Sequence, residues 1–150
     1  MATTAVEPVF VDTNNLIYAH QAHSPFNAQA IAKLLDLEST GHPLWISRQI
    51  LREYLAAMSR PGGLTAPVPL ANLLSDVRAF QTQFHIAEDG PGVTGHLLNL
   101  LASIPCGGKQ VHDANIVATM LAHGIQRLVT HNVADFNRFG AHITVIPLIP

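Results

Sequence analysis

Short apolar runs alternate along this chain with longer segments in which apolar residues recur every three or four positions. The short runs predict buried strands at residues 9–11, 44–46, 84–86, 128–130 and 143–146. The longer segments predict helices at residues 16–20, 26–37, 48–58, 70–80, 96–104 and 112–123. Because a helix provides the crossover that two parallel strands require, this alternation predicts an α/β fold with a mostly parallel sheet.

Proline and glycine clusters separate these elements. Residues 60–69 and 105–108 are predicted to be loops. Residues 89–92, Asp-Gly-Pro-Gly, predict a turn before the helix that begins at His96. No repeat, low-complexity tract or linker interrupts the pattern, so residues 1–150 are expected to form a single domain.

The composition is unusually poor in charge. Hydrophobic residues make up 48% of the chain and charged residues 12%, about half of the usual ~25%. This predicts apolar surface patches that bind a partner, although alanine-rich helices on both faces of a sheet would give a similar composition. Residues 1–8 show no basic segment followed by an apolar run, and no apolar run is long enough for a membrane span, so neither a secretory leader nor a span is expected. The single cysteine, Cys106, has no second cysteine in the sequence to pair with. These features predict a cytoplasmic protein.

The sequence lacks the features that several binding and catalytic functions require. A net charge of −2 excludes nucleic-acid binding through overall charge, so any such binding must depend on a local basic patch or on metal ions. The nine histidines show no zinc-site spacing. The motifs of acyl transfer, P-loop nucleotide hydrolysis and dinucleotide binding are missing from the sequence.

Three of the ten acidic residues stand at informative positions. Asp12 directly follows the first predicted strand, where parallel sheets bind ligands, but it is also a favourable helix N-cap. Asp113 shares a helical stripe with Ile116 and Val117 and so faces the core, where a metal ion or the positive end of the helix would stabilise its charge. Asp135 follows the strand at 128–130 within five residues, where a polar turn would also place an acid.

A fourth acid, Glu53, has the weakest pattern. It lies at the edge of the apolar stripe of its helix. Arg52 and Arg48 are near enough along the chain to pair with it on the surface. The residue pattern alone does not select Glu53 for a site.

Four segments resemble, in order, the motifs of PIN domains, particularly the VapC-type toxins of bacterial toxin–antitoxin pairs. Residues 11–14 (Val-Asp-Thr-Asn) resemble the opening motif, and residues 50–54 (Ile-Leu-Arg-Glu-Tyr) supply an acid on a helix. Residues 112–118 (His-Asp-Ala-Asn-Ile-Val-Ala) are similar to the third motif, and residues 130–136 (Thr-His-Asn-Val-Ala-Asp-Phe) to the T-x-N-x-x-D-F motif. Each motif alone is weak, but together they span nearly the whole chain.

The resemblance implies a three-layer α/β/α sandwich and a metal-dependent endoribonuclease. Asp12, Glu53, Asp113 and Asp135 are its implied catalytic residues, converging at one end of the sheet. Asp12, Asp113 and Asp135 are the implied ligands of Mg²⁺ or Mn²⁺, ions that prefer hard oxygen donors and can activate water to hydrolyse RNA.

Other polar residues take supporting roles under this interpretation. Thr13 and Asn14 would orient the substrate or support the metal ligands, and Thr130 and Asn132 would hold the loop that carries Asp135. A local basic rim for RNA would come from Arg48, Arg52, Arg60 and Lys109, of which Arg48, Arg52 and Lys109 are the candidate RNA contacts.

The resemblance also implies protein partners. Members of this group pair with a cognate VapB-like antitoxin and commonly form homodimers. The helices at 50–58 and 70–80, joined by the loop at 60–69, could form a groove for an antitoxin segment, or they could simply pack on their own sheet.

Two other functions stay open. One is a PIN-like module that binds RNA or protein without catalysis, which the acidic net charge allows and the retention of four acids disfavours. The other is a phosphatase that uses Asp12 as a nucleophile. Asn14 stands where such an enzyme would need a second aspartate, which counts against it.

Overall fold

The computed structural model of the protein describes residues 5–60 and 68–150. Its strands are β1 (Val9–Val11), β2 (Leu44–Ser47), β3 (His85–Ala87), β4 (Arg127–Thr130) and β5 (Thr144–Pro147). They form one sheet in the order β3-β2-β1-β4-β5, and every neighbouring pair is parallel. The predicted mostly parallel sheet is therefore confirmed.

Helices follow or precede each strand and cover both faces of the sheet. They are α1 (Thr13–Ala19), α2 (Asn27–Ser39), α3 (Arg48–Met58), α4 (Leu70–Gln83), α5 (Pro91–Ser103), α6 (Gln110–Ala122) and the short α7 (Val133–Phe136). The predicted three-layer α/β/α sandwich is confirmed.

The first strand lies at the centre of the core. All three residues of β1 are fully buried, and the strand pairs with β2 on one side and β4 on the other. A strand that is covered on both faces needs a continuous apolar run, which explains why Val9, Phe10 and Val11 do not alternate with polar residues. The carboxyl ends of β1, β2 and β4 consequently lie side by side.

Three helices begin earlier than their apolar periodicity predicts, and for α6 the difference is only from His112 to Gln110. Helix α1 begins at Thr13 instead of Leu16, because Asp12 caps it directly after the strand. Helix α5 begins at Pro91 instead of His96, so the predicted turn at 89–92 is wrong over Pro91 and Gly92. Proline is well suited to the first helical position, since its missing N–H has no partner to bond there. Of the predicted loop at 60–69, residues 61–67 lie outside the described residues.

Part of the apolar composition lies on the surface. Among the described residues, the exposed large hydrophobic side chains are Val6, Ile31, Leu35, Leu70, Leu74 and Leu98. Leu70 and Leu74 belong to the predicted apolar stripe of α4 but are exposed. Leu73 and Phe80 of the same stripe are buried. Among the described helices, none is both long and apolar enough to cross a membrane.

Candidate carboxylate site at the ends of the central strands

Asp12 lies at the carboxyl end of β1 and is only 5% exposed. Its Oδ1 accepts a hydrogen bond from the backbone N–H of Thr13 at 2.8 Å, so the residue does cap α1. Its Oδ2 accepts hydrogen bonds from the hydroxyl of Thr130 at 2.7 Å and from the amide of Asn14 at 3.1 Å. All three donors are neutral, so they orient the carboxylate without balancing its charge.

The electrostatics of Asp12 follow from this setting. Burial raises the pKa of Asp12 from 3.8 to about 6, although the hydrogen bonds from Thr130 and Thr13 act in the opposite direction. The negative charges of Glu53 and Asp113 raise the pKa further. The raised pKa of Asp12 thus follows from its burial and from the proximity of two other acids.

Asn14 and Thr130 connect α1 to the end of β4. The amide of Asn14 also donates to the Thr130 hydroxyl at 3.2 Å, and its carbonyl oxygen accepts from the backbone N–H of His131 at 3.1 Å. The Thr130 hydroxyl in turn accepts from the backbone N–H of Asn132 at 3.0 Å. These bonds hold the start of the segment that carries Asp135 against the first turn of α1.

Glu53 extends from α3 toward the same point. Its Oε2 accepts from the Thr13 hydroxyl at 2.9 Å, and its Oε1 accepts from the amide of Gln49 at 2.7 Å. The expected alternative, a surface pair with a neighbouring arginine, is not what the structure shows. Arg48 instead forms an exposed ion pair with Glu88 at 2.7 Å.

Gln49 is a site residue that the sequence reasoning missed. It is 7% exposed, and besides Glu53 it donates to the backbone carbonyl of His112 at 2.9 Å. Its own oxygen accepts from the amide of Asn115 at 2.8 Å. Gln49 thereby links α3 to the first turns of α6. The available signal was its spacing, since a glutamine four residues before Glu53 lies on the same helical face.

Asp113 and Asp135 complete the set of predicted acids. Asp113 is half-buried in the first turn of α6, and its pKa is raised from 3.8 to about 6 by burial and by the negative charges of Asp135 and Glu53. Arg138 and His112 act against this rise. Asp135 is exposed in the first turn of α7. The structure thus brings Asp12, Glu53 and Asp113 within electrostatic range of one another at one end of the sheet, and Asp135 within range of Asp113.

A basic groove lies next to the acids. It has a volume of about 680 Å³ and is lined by Glu53 and Asp113 together with Arg52, Arg60 and Lys109. Three of the four residues of the predicted basic rim, Arg52, Arg60 and Lys109, therefore line the groove beside the acids. Arg48 is not among the lining residues.

The donor set suits a hard divalent cation. Within residues 5–60 and 68–150, no three His, Cys, Asp or Glu side chains are close enough to share one metal ion. Mg²⁺, however, is usually held by only one or two carboxylates and completes its octahedral shell with water and phosphate oxygens. Oxygen donors with unbalanced negative charge, beside a groove open to solvent, fit that mode of binding.

Known proteins share this architecture. A chain of the VapBC2 complex from Rickettsia felis, bound to a DNA fragment from its promoter, is 18% identical with a TM-score of 0.67, over 93% of this chain and 97% of that one. A chain of VapBC-1 from nontypeable Haemophilus influenzae is 18% identical with a TM-score of 0.64, over 95% and 98%. VapC20 from Mycobacterium tuberculosis, a toxin that cleaves the sarcin–ricin loop, is 17% identical with a TM-score of 0.62, over 91% and 96%.

At these identities the likeness concerns the fold, and no curated protein matches the sequence. The sequence profile of the PIN domain matches residues 9–141, from the first residue of β1 to the segment before β5. That match covers most of the chain and includes all four acids of the site. The protein therefore belongs to the PIN-domain family, the family of nucleases that its four motifs resemble.

Proposed function

We propose that this protein is a metal-dependent endoribonuclease that acts as the toxin of a toxin–antitoxin pair. The observation that carries the proposal is the convergence of Asp12, Glu53, Asp113 and Asp135 at one end of a PIN-type sheet, with the pKa of two of them raised to about 6. Carboxylates whose charge is unbalanced beside an open groove are typical of a catalytic site rather than of a structural one.

Asp12, Asp113 and Asp135 are the proposed ligands of Mg²⁺ or Mn²⁺, with no more than two of them bound directly to the same ion. When bound, such an ion activates water and stabilises the leaving oxygen of a phosphodiester. Thr130 and Asn14 hold the Asp12 carboxylate in one orientation through their hydrogen bonds. Asn132, whose N–H is bonded to Thr130, fixes the segment that presents Asp135.

Glu53 is proposed to accept a proton from the attacking water. Both of its oxygens already accept a hydrogen bond, one from Thr13 and one from Gln49, so the carboxylate is fixed in place. A fixed acceptor is what general-base catalysis requires, because the proton transfer depends on geometry first. Arg52 and Lys109, which line the groove, are proposed to bind phosphates of the RNA and so compensate for the negative net charge.

The proposed partner is an antitoxin encoded beside the toxin. Two of the structural relatives are VapBC complexes from Rickettsia felis and Haemophilus influenzae. Leu70 and Leu74 are 59% and 38% exposed on α4, and α4 packs beside α3. These side chains are suited to an apolar contact with an antitoxin segment or with a second copy in a homodimer. Cellular RNA as substrate places the activity in the cytoplasm.

The test is cleavage of total RNA by purified protein with Mg²⁺ or Mn²⁺ and with EDTA. Wild type is compared with Asp12→Asn and with Asp36→Asn, which alters an exposed acid on α2. We expect metal-dependent cleavage in wild type and Asp36→Asn, and a loss of at least about 100-fold in Asp12→Asn, the order expected when a key electrostatic group is removed.

Growth on induced expression separates the two functional interpretations. Cleavage and growth inhibition that both survive Asp12→Asn would contradict the metal-nuclease assignment. Growth inhibition without any RNA cleavage by wild type would instead favour a binding module with this fold.

A further inference from the structure

Three aromatic rings meet next to the residues that hold Asp12, and none of the three lines the basic groove. The ring centroids of Tyr18 and Phe26 are 5.1 Å apart, those of Phe26 and His131 are 4.5 Å apart, and those of Tyr18 and His131 are 5.6 Å apart. Each ring therefore contacts the other two. We call these three residues the ring cluster.

The ring cluster is tied to Asp12 by short connections. His131 directly follows Thr130, which donates to Asp12, and the His131 N–H donates to Asn14, which also donates to Asp12. Tyr18 lies on α1, which Asp12 caps. The pKa of Tyr18 is raised by burial and by the charge of Asp12, which agrees with this proximity.

The first turn of α1 contacts both the basic groove and the ring cluster. Thr13 contacts Glu53, which lines the groove, whereas Asn14 contacts His131 of the ring cluster. A strand of RNA bound at the carboxylates would consequently have both basic side chains and aromatic rings nearby.

The rings are not an ordinary part of the core. All three are half-buried, and across the described residues neither the Tyr18 hydroxyl nor a ring nitrogen of His131 has a hydrogen-bond partner in the protein. The chain's other tyrosine shows the contrast, because Tyr54 is fully buried and its hydroxyl donates to Asp76 at 2.7 Å. The ring cluster thus keeps its polar atoms accessible to a ligand.

Single-stranded RNA provides a ligand with the matching chemistry. Unpaired bases stack on Phe, Tyr and His side chains, and their edges form hydrogen bonds with nearby polar groups. Stacking is favourable for every base, so it can anchor a strand without a basic surface. This matters for a protein whose net charge is −2.

We propose that Tyr18, Phe26 and His131 form a stacking site for an unpaired base of the RNA substrate, next to the phosphodiester that the carboxylates cleave. The inference rests on the proposed endoribonuclease function and adds to it a binding site for a base. His131 is the central element, because its backbone is fixed to Asn14 and its ring contacts both of the others.

The test uses single-stranded RNAs of about ten nucleotides that carry the fluorescent base 2-aminopurine at successive positions. Stacking of 2-aminopurine on an aromatic ring quenches its fluorescence. Rings that only pack against one another within the protein would leave that fluorescence unchanged. The variants are His131→Leu and His131→Phe, with His96→Leu as the control because His96 is exposed on α5, outside the site. Circular dichroism and thermal unfolding establish that each variant is folded.

In wild type, His131→Phe and His96→Leu, we expect quenching at one position of the RNA. In His131→Leu we expect that quenching to disappear and the dissociation constant to rise on the order of tenfold, the effect typical of one stacked base.

Two results would overturn the proposal in distinguishable ways. If folded His131→Leu binds and quenches like wild type while Asp12→Asn abolishes cleavage, the ring cluster only packs, and the nuclease function stands. If wild type neither binds nor cleaves RNA, the proposed function fails and the stacking site fails with it.

Discussion

Replacing Asp12 by Asn should change how the stability of this protein depends on pH. Asp12 is 5% exposed, and its pKa is raised from 3.8 to about 6 by burial, by Glu53 and by Asp113. A raised pKa means that the folded state holds the proton more tightly than the unfolded state does. The stabilisation is therefore fully present below about pH 3.8 and is lost as the pH rises through about 6.

The size of the effect follows from the shift. One pKa unit corresponds to about 1.36 kcal/mol, so a rise from 3.8 to about 6 is equivalent to about 3 kcal/mol. Asn does not titrate and has nearly the same shape. The free energy of unfolding of Asp12→Asn, relative to wild type, should consequently increase by up to about 3 kcal/mol between acidic and neutral pH.

Urea unfolding in EDTA over a series of pH values measures this difference. Asp36→Asn is the matched control, because Asp36 is exposed on α2 and should follow the wild-type curve. If the plots of the free energy of unfolding against pH stayed parallel for Asp12→Asn and wild type, the reasoning would be refuted. Parallel plots would mean that burial of the charged carboxylate costs no free energy.

Adding Mg²⁺ at neutral pH should stabilise wild type by about 2.7 kcal/mol when the Mg²⁺ concentration is 100 times its dissociation constant. Asp12→Asn should be stabilised much less.

Three further substitutions test other contacts, each by urea unfolding. Gln49→Ala removes three hydrogen bonds of a nearly buried side chain and should cost about 2–3 kcal/mol. A cost no larger than that of Gln81→Ala, an exposed helical control, would contradict this. Tyr54→Phe removes the bond to Asp76 and should cost about 1.5–3 kcal/mol, a range typical of charged acceptors; an unchanged midpoint would show that the bond is replaced by water. Gly124→Ala should cost about 1–2 kcal/mol, because φ is +68° and no atom lies near the added Cβ; a neutral result would mean that the turn relaxes.

Much of the fold could be predicted because its signals are local. The fully buried β1 appears as three consecutive apolar residues, and Ser47 caps α3 as its position before the apolar stripe predicts. Gly41 ends α2 with a φ of +86°, which only glycine adopts easily. The start of α5 at Pro91 also had a local signal, but an Asp-Gly-Pro-Gly segment is equally compatible with a turn.

The contacts of Glu53 could not be predicted, because they join distant parts of the chain. Thr13, which donates to Glu53, is 40 positions away from it in the sequence. Gln49 also donates to Glu53, and it accepts a hydrogen bond from Asn115, which lies 66 positions after Gln49. Helical periodicity places Glu53 only at the edge of the apolar stripe of α3. It does not indicate which other helix or strand packs against that edge. The motif resemblance alone indicated this residue, and the hydrogen bonds now provide a physical reason for its position.

Asp12 shows why a helix cap and a metal ligand cannot be distinguished by sequence pattern. A carboxylate has about four lone-pair positions, and three of those of Asp12 accept hydrogen bonds, from Thr13, Thr130 and Asn14. The same side chain therefore caps α1 and still has an acceptor position for a cation. The distinguishing property is that all three partners are neutral, so the charge of a nearly buried group is left without compensation. A carboxylate that served only as a cap would more often be exposed, where water compensates its charge at little cost.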